Sequence, residues 1–124
     1  MINLIDFMVS LVGKQVSFDA ASEFNGECTQ LVKKWAQLNG WSIPNGGSEN
    51  AWGFRNYRNG YTFIRNSRYA VPSVGDIVVS SGGVGHVAIA LPSDDSNLFC
   101  FGQNFTRSRK CSIEVHKAYS GVLS

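Results

Sequence analysis

Near the amino terminus, apolar side chains fall at Ile5, Met8, Val9 and Val12, the i, i+3, i+4, i+7 spacing of one helical face. Gly13 supplies a stop, so the pattern predicts a first helix over 2–12. The same period returns at Cys28, Leu31, Val32, Trp35 and Leu38 and runs out at Asn39 and Gly40, a pair suited to a left-handed C-cap. A second helix is therefore expected to begin at Cys28. Residues 42–60 are crowded with Gly, Asn and Ser and include Pro44, which predicts a loop carrying at most a short helix near 49–57. From Tyr61 onward the pattern changes to short runs rich in β-branched and aromatic residues, at 61–64, 77–80, 86–91, 98–105 and 112–116. Turn clusters at 81–85 and 92–96 separate three of them. Helices followed by hairpin-linked strands give an α+β layout, with N-terminal helices packed on an antiparallel β-sheet.

The chain has 124 residues and no long polar or proline-rich tract, so 1–124 is read as a single domain. With 44% apolar and 16% charged residues the composition excludes a disordered chain. A net charge of +2 is too small for duplex binding, and no nucleic-acid partner is expected. No apolar stretch approaches the roughly 20 residues of a membrane span, so no membrane insertion is expected. Asp6 interrupts the first apolar run, which has neither a basic flank nor a small-residue cleavage site, and no signal peptide is read there. The three cysteines, Cys28, Cys100 and Cys111, lack CxxC spacing, which argues against a disulfide framework and a zinc ribbon.

Three residues stand out chemically. Cys28 sits at a predicted helix start, where unpaired backbone N–H groups and the positive end of the dipole favour a thiolate. The plainer reading, a small buried residue on an apolar face, is the commoner fate of a cysteine. His86 opens a strand and shares its face with Ala88 and Ala90, small residues that let another element approach the imidazole. A merely structural histidine is the competing reading. Asn104 ends the next strand on the face of Leu98, Cys100 and Gly102, where it would hold the imidazole's second nitrogen, although a turn asparagine is commoner. As a set, Cys, His and Asn in this chain order follow the papain-like plan of a cysteine hydrolase.

The segments Gly26-Glu-Cys-Thr-Gln-Leu31, Val74-Gly-Asp-Ile-Val78, Gly85-His-Val-Ala-Ile89 and Gly102-Gln-Asn-Phe105 resemble the successive motifs of CHAP domains. Gly13-Lys14 and Asn50-Ala-Trp52 extend the resemblance, especially to the catalytic domains of phage endolysins. It implies a papain-like α+β fold and a peptidoglycan hydrolase, either an amidase acting between muramic acid and the stem peptide or an endopeptidase of the stem or cross-bridge. Cys28 would be nucleophile, His86 general base and Asn104 its orienter, with no cofactor. The remaining implications are bacterial peptidoglycan as substrate, synthesis in a host cytoplasm, action at the wall as a monomer, and a wall-binding domain beyond the C-terminus.

Two positions depart from the family pattern. Gly102 stands where endolysins carry Glu or Asp, so the imidazolium is expected to lose support and the histidine pKa to fall below that of relatives with the acid. That loss is also the feature that favours a wall-binding module which has lost catalysis; a related peptidase or acyltransferase acting on another amide is a third possibility. Before Cys28, Asp19, Glu23, Asn25 and Gln30 form a thin oxygen set with Ala21 among them, and no calcium requirement is expected. Trp35 is read as core, His116 as surface, 107–110 as a solvated turn, and Cys100 and Cys111 as unpaired. Trp41, Trp52, Tyr57 and Tyr61 flank or occupy the irregular segment, where loops commonly wall a substrate groove.

Overall fold

In the computed structural model, residues 1–18, 26–45, 51–67, 70–80 and 85–117 are described. Helix α1 (Leu4–Leu11) starts at Asn3, whose side chain accepts the Asp6 N–H at 3.1 Å. Its buried stripe is Leu4 and Phe7 with Met8 and Leu11 beside them, while Ile5, Val9 and Val12 of the expected face are exposed. Both stripes have the same period. Aromatic packing decides between them: the Phe7 ring lies 5.0 Å from Trp35 and 6.1 Å from Phe101, burying more surface than the rival valines offer.

Helix α2 (Cys28–Leu38) begins at Cys28 as expected and ends with Gly40 at φ 72°. The Trp41 N–H returns to the Ala36 carbonyl at 3.0 Å, closing the last turn. Trp35 is core, as read, and its indole N–H donates to the Gly75 carbonyl at 3.0 Å. A 3₁₀ helix (Ala51–Asn56) falls inside the short helix expected at 49–57, burying Ala51 and Phe54.

Strands β1 (Ile77–Ser80), β2 (His86–Ala90), β3 (Asn97–Gln103) and β4 (Cys111–Lys117) form an antiparallel meander in that order. The strand expected at 61–64 is absent from the described sheet. Its composition suits an extended backbone, but among the described residues β1 pairs only with β2 and 61–64 has no ladder partner. Leu31, Val32 and Trp35 pack with Val87, Ile89, Leu91 and Phe101, whereas Ala88 clusters with Leu98 and Cys100. The helix thus approaches the sheet through the larger residues of β2, and the space beside the small ones is put to another use.

At the exit of α1 the Gly13 N–H donates to the Cys111 carbonyl and the Cys111 N–H to that of Lys14, both at 2.8 Å, tying this turn to the start of β4. Cys111 faces Gln103 and Cys100 faces Glu114, out of register for a disulfide, and all three thiols are free. Residues 107–110 are exposed, as expected of a solvated turn. Among the described residues no helix is long and apolar enough to cross a membrane.

Candidate active site

The carbonyl before the nucleophile is held by a buried amide. Gln103, fully buried at the end of β3, accepts the Val16 N–H at 2.6 Å and donates to the Val16 and Glu27 carbonyls at 3.0 and 2.7 Å. Gln30, one turn into α2, accepts the Phe18 N–H at 2.7 Å. Gly26 takes φ 80°, and a Cβ there would come within 2.7 Å of the Arg109 Cβ, so this turn requires glycine. These contacts hold residues 16–18 and 26–27 against the end of β3 and the start of α2, and with them the position from which Cys28 leaves the helix start. Glycine 26 and Gln30 belong to the motif around Cys28, and Gln103 to the motif that ends at Phe105.

The Cys28 thiol is buried and hydrogen-bonded to the His86 ring. The other side of that ring meets Glu114 of β4: His86 Nε2 lies 3.0 Å from Oε1 and 2.9 Å from Oε2. With Nε2 engaged there, Nδ1 is the ring nitrogen left for the thiol. Glu114 is fully buried in its side chain and has a second partner, His116 Nε2, 3.1 Å from Oε1. Phe105 lies over both histidines, its ring centre 5.4 Å from that of His86 and 5.0 Å from that of His116.

Asn104 is not where the sequence put it. Strand β3 stops at Gln103, and Asn104 turns out of it with φ 63°. Its amide donates to Glu27 Oε2 at 3.1 Å and its Oδ1 accepts the Arg109 N–H at 2.9 Å, while the Arg109 guanidinium reaches Glu27 Oε1 at 3.2 Å. Asn104 therefore braces the turn after β3 against the residue before Cys28, and the imidazole nitrogen assigned to it belongs to Glu114. His116, expected at the surface, is buried, because β4 turns Glu114 and His116 inward and leaves Ile113 and Val115 exposed. That inversion hides Glu114 from a hydropathy reading. The one available signal was an acid and a histidine two apart, on one face of a strand that borders Gly102.

The electrostatics follow from this packing. Burial opposes a charge on His86, but the hydrogen bonds with Cys28 and Glu114 and their charges push its pKa up to about 9. The expected loss of carboxylate support for the imidazolium is overturned, since Glu114 supplies a carboxylate from β4. Burial tends to raise the Glu114 carboxyl, and the hydrogen bonds and charges of His116 and His86 outweigh it, leaving it below the usual range. A free histidine titrates near ~6.5, so His86 contributes stability that is complete below that pH and is lost as pH rises through about 9. Urea unfolding at pH 6, 7.5 and 9 should show a fall of roughly 3 kcal/mol across this window, and His86→Gln should flatten it. A wild-type profile already flat from pH 6 to 9 would contradict the geometry.

A groove of about 710 Å³ runs beside β1, lined by Trp41, Tyr61, Phe63, Pro72, Ile77 and Val79 among others. Trp41 and Tyr61 do wall a groove, but neither Cys28 nor His86 lines it, so the chemistry and not the volume marks the site. Tyr57 lines a smaller pocket alongside. Asp19, Ala21, Glu23 and Asn25, on which the calcium expectation rests, lie outside the described residues, as does the side chain of Trp52.

Two solved structures resemble this fold: the crystal structure of Ly7917, with a TM-score of 0.65, and that of Ly7917 with the hydrolyzing product of MDP, at 0.63. Each is 21% identical, and the similarity covers 92% of this chain but 55% of the other, so the chain spans about half the length of these relatives. No curated protein matches it. The sequence itself matches the CHAP domain family over residues 18–104, an interval that holds Cys28, His86 and Asn104. With the helix-borne thiol and the strand-borne imidazole in contact inside that interval, the chain belongs to the CHAP domain family.

Proposed function

We propose that this chain is the catalytic domain of a peptidoglycan hydrolase, cutting an amide or peptide bond of the wall by a thiol mechanism. The observation that carries this reading is the Cys28 thiol at the start of α2 in hydrogen-bond contact with His86. Cys28 thiolate attacks the scissile carbonyl, and the oxyanion forms where the Cys28 backbone N–H, unpaired at the helix start, can donate to it. The C–N bond breaks as the His86 imidazolium protonates the leaving amine, leaving a thioester on Cys28. Water, deprotonated by His86, releases the acid and restores the thiol.

Membership of the CHAP family and the solved Ly7917 complex with the hydrolyzing product of MDP support a wall fragment as substrate. The chain spans 55% of the Ly7917 length, and this reading includes a wall-binding domain elsewhere in the full protein and action at the wall of a phage host. The binding-module alternative draws on Gly102, and the Glu114 carboxylate beside His86 supports the catalytic reading instead. Mass spectrometry of digested peptidoglycan tests the reading. The expected products carry one new amine and one new carboxyl per cut, at the muramic acid amide for an amidase or within the peptide for an endopeptidase. Walls left intact would refute it.

A further inference from the structure

Position 102 and Glu114 contend for the same space. On the face of the sheet that carries Ala88, Gly102 and Cys100, β3 pairs with β4 so that Gly102 faces Ser112 and Cys100 faces Glu114. A Cβ built on Gly102 would lie 2.6 Å from the Glu114 Cδ and 3.1 Å from Oε1, and closer still to Oε2. Any side chain at 102 would thus start inside the carboxylate that now faces His86.

We propose that Glu114 is the positioning residue of this site, supplying from β4 the carboxylate that orients His86, and that His116 holds it there from its far side. This inference rests on reading Cys28 and His86 as the reacting pair. Among the described residues, the titratable groups around the imidazole are Cys28 from α2, Glu114 and His116 from β4, and Cys100 of β3 beneath the carboxylate. The Cys100 thiol is pushed up to about 12, by burial first and by the Glu114 charge second, so it stays neutral. The carboxylate is then the one negative charge facing Nε2. It fixes the ring with Nδ1 toward the thiol and stabilises the imidazolium that forms when Cys28 gives up its proton. Glycine at 102 is the condition for this arrangement.

The test is Glu114→Gln, which keeps shape and removes charge, read by NMR titration of His86 and by wall lysis. The expected result is a folded protein whose His86 titrates at least one pH unit below its wild-type value near 9, with kcat lowered tenfold or more and KM little changed. A folded variant with the His86 titration and kcat both within twofold of wild type would overturn the proposal. Should Glu114→Gln fail to fold, Glu114→Ala combined with Gly102→Glu moves the carboxylate to β3. That double variant should fold, with His86 again titrating above pH 8, and a folded double variant with an ordinary histidine titration overturns the proposal equally. The histidine titration needs no substrate, so a wild-type protein that does not cut walls but shows the expected His86 shifts refutes the proposed function alone.

Discussion

Cys28→Ala is expected to lower wall lysis by at least ~1,000-fold while leaving the fold intact. Nothing else among the described residues can form the thioester, and an imidazole without its thiol can at best activate water without covalent catalysis. The substitution removes one sulfur from a helix start whose position is fixed by Gln103 and Gly26, so the thermal transition should stay close to that of the wild type. The other thiols cannot substitute. Burial, aided by the Glu114 charge, pushes Cys100 up to about 12, and burial pushes Cys111 up to about 11. Iodoacetamide at neutral pH should therefore label Cys28 selectively, and labelling should track loss of lysis. Lysis retained by Cys28→Ala would remove the thiol mechanism altogether.

Gly102→Glu should damage this protein. The new side chain would start within 2.6 Å of the Glu114 Cδ, forcing either strand β3 or the Glu114 carboxylate to move. Overpacking of this kind costs about 1–3 kcal/mol. Two buried carboxylates in one space add a further penalty, since one must take up a proton or lose its partners. A loss near ~3 kcal/mol corresponds to a fall in Tm of roughly 10 °C for a domain of this size. Lysis should drop at least tenfold as the contact between Glu114 and His86 is displaced. A Gly102→Glu protein as stable as the wild type and more active would show that position 102 is an open slot and would contradict the packing of Glu114.

Local pattern carried the elements that sit alone on strong signals. Cys28 to Leu38 reads as a helix because its apolar period and its Asn39-Gly40 stop agree, and the strands at 77, 86, 98 and 112 are each bounded by turn residues. Where two local answers were equally good, pattern chose badly: the stripe of Ile5 and Val9 has the same spacing as that of Leu4 and Phe7, and the neighbours Trp35 and Phe101 decide which is inside. Residues 61–64 have strand composition but no partner strand among the described residues, a fact that no window of sequence contains.

The same division runs through the site. By itself the sequence determined the α+β layout, the CHAP motifs, and the pairing of a helix-start cysteine with a strand-start histidine, because each depends on residues close together in the chain or on motif order. Tertiary structure decided what stands behind the histidine. Asn104 was assigned to it by alternation along β3, but the strand ends one residue earlier and a positive φ turns the side chain to Glu27. Glu114, a charged residue between Ile113 and Val115, looks in the sequence like the outer face of a strand. It faces inward because its charge is matched there by two histidines and because a glycine 12 residues earlier leaves room for it. Burial of a charge is decided by its partners, and the partners of Glu114 meet only when β2, β3 and β4 are laid side by side.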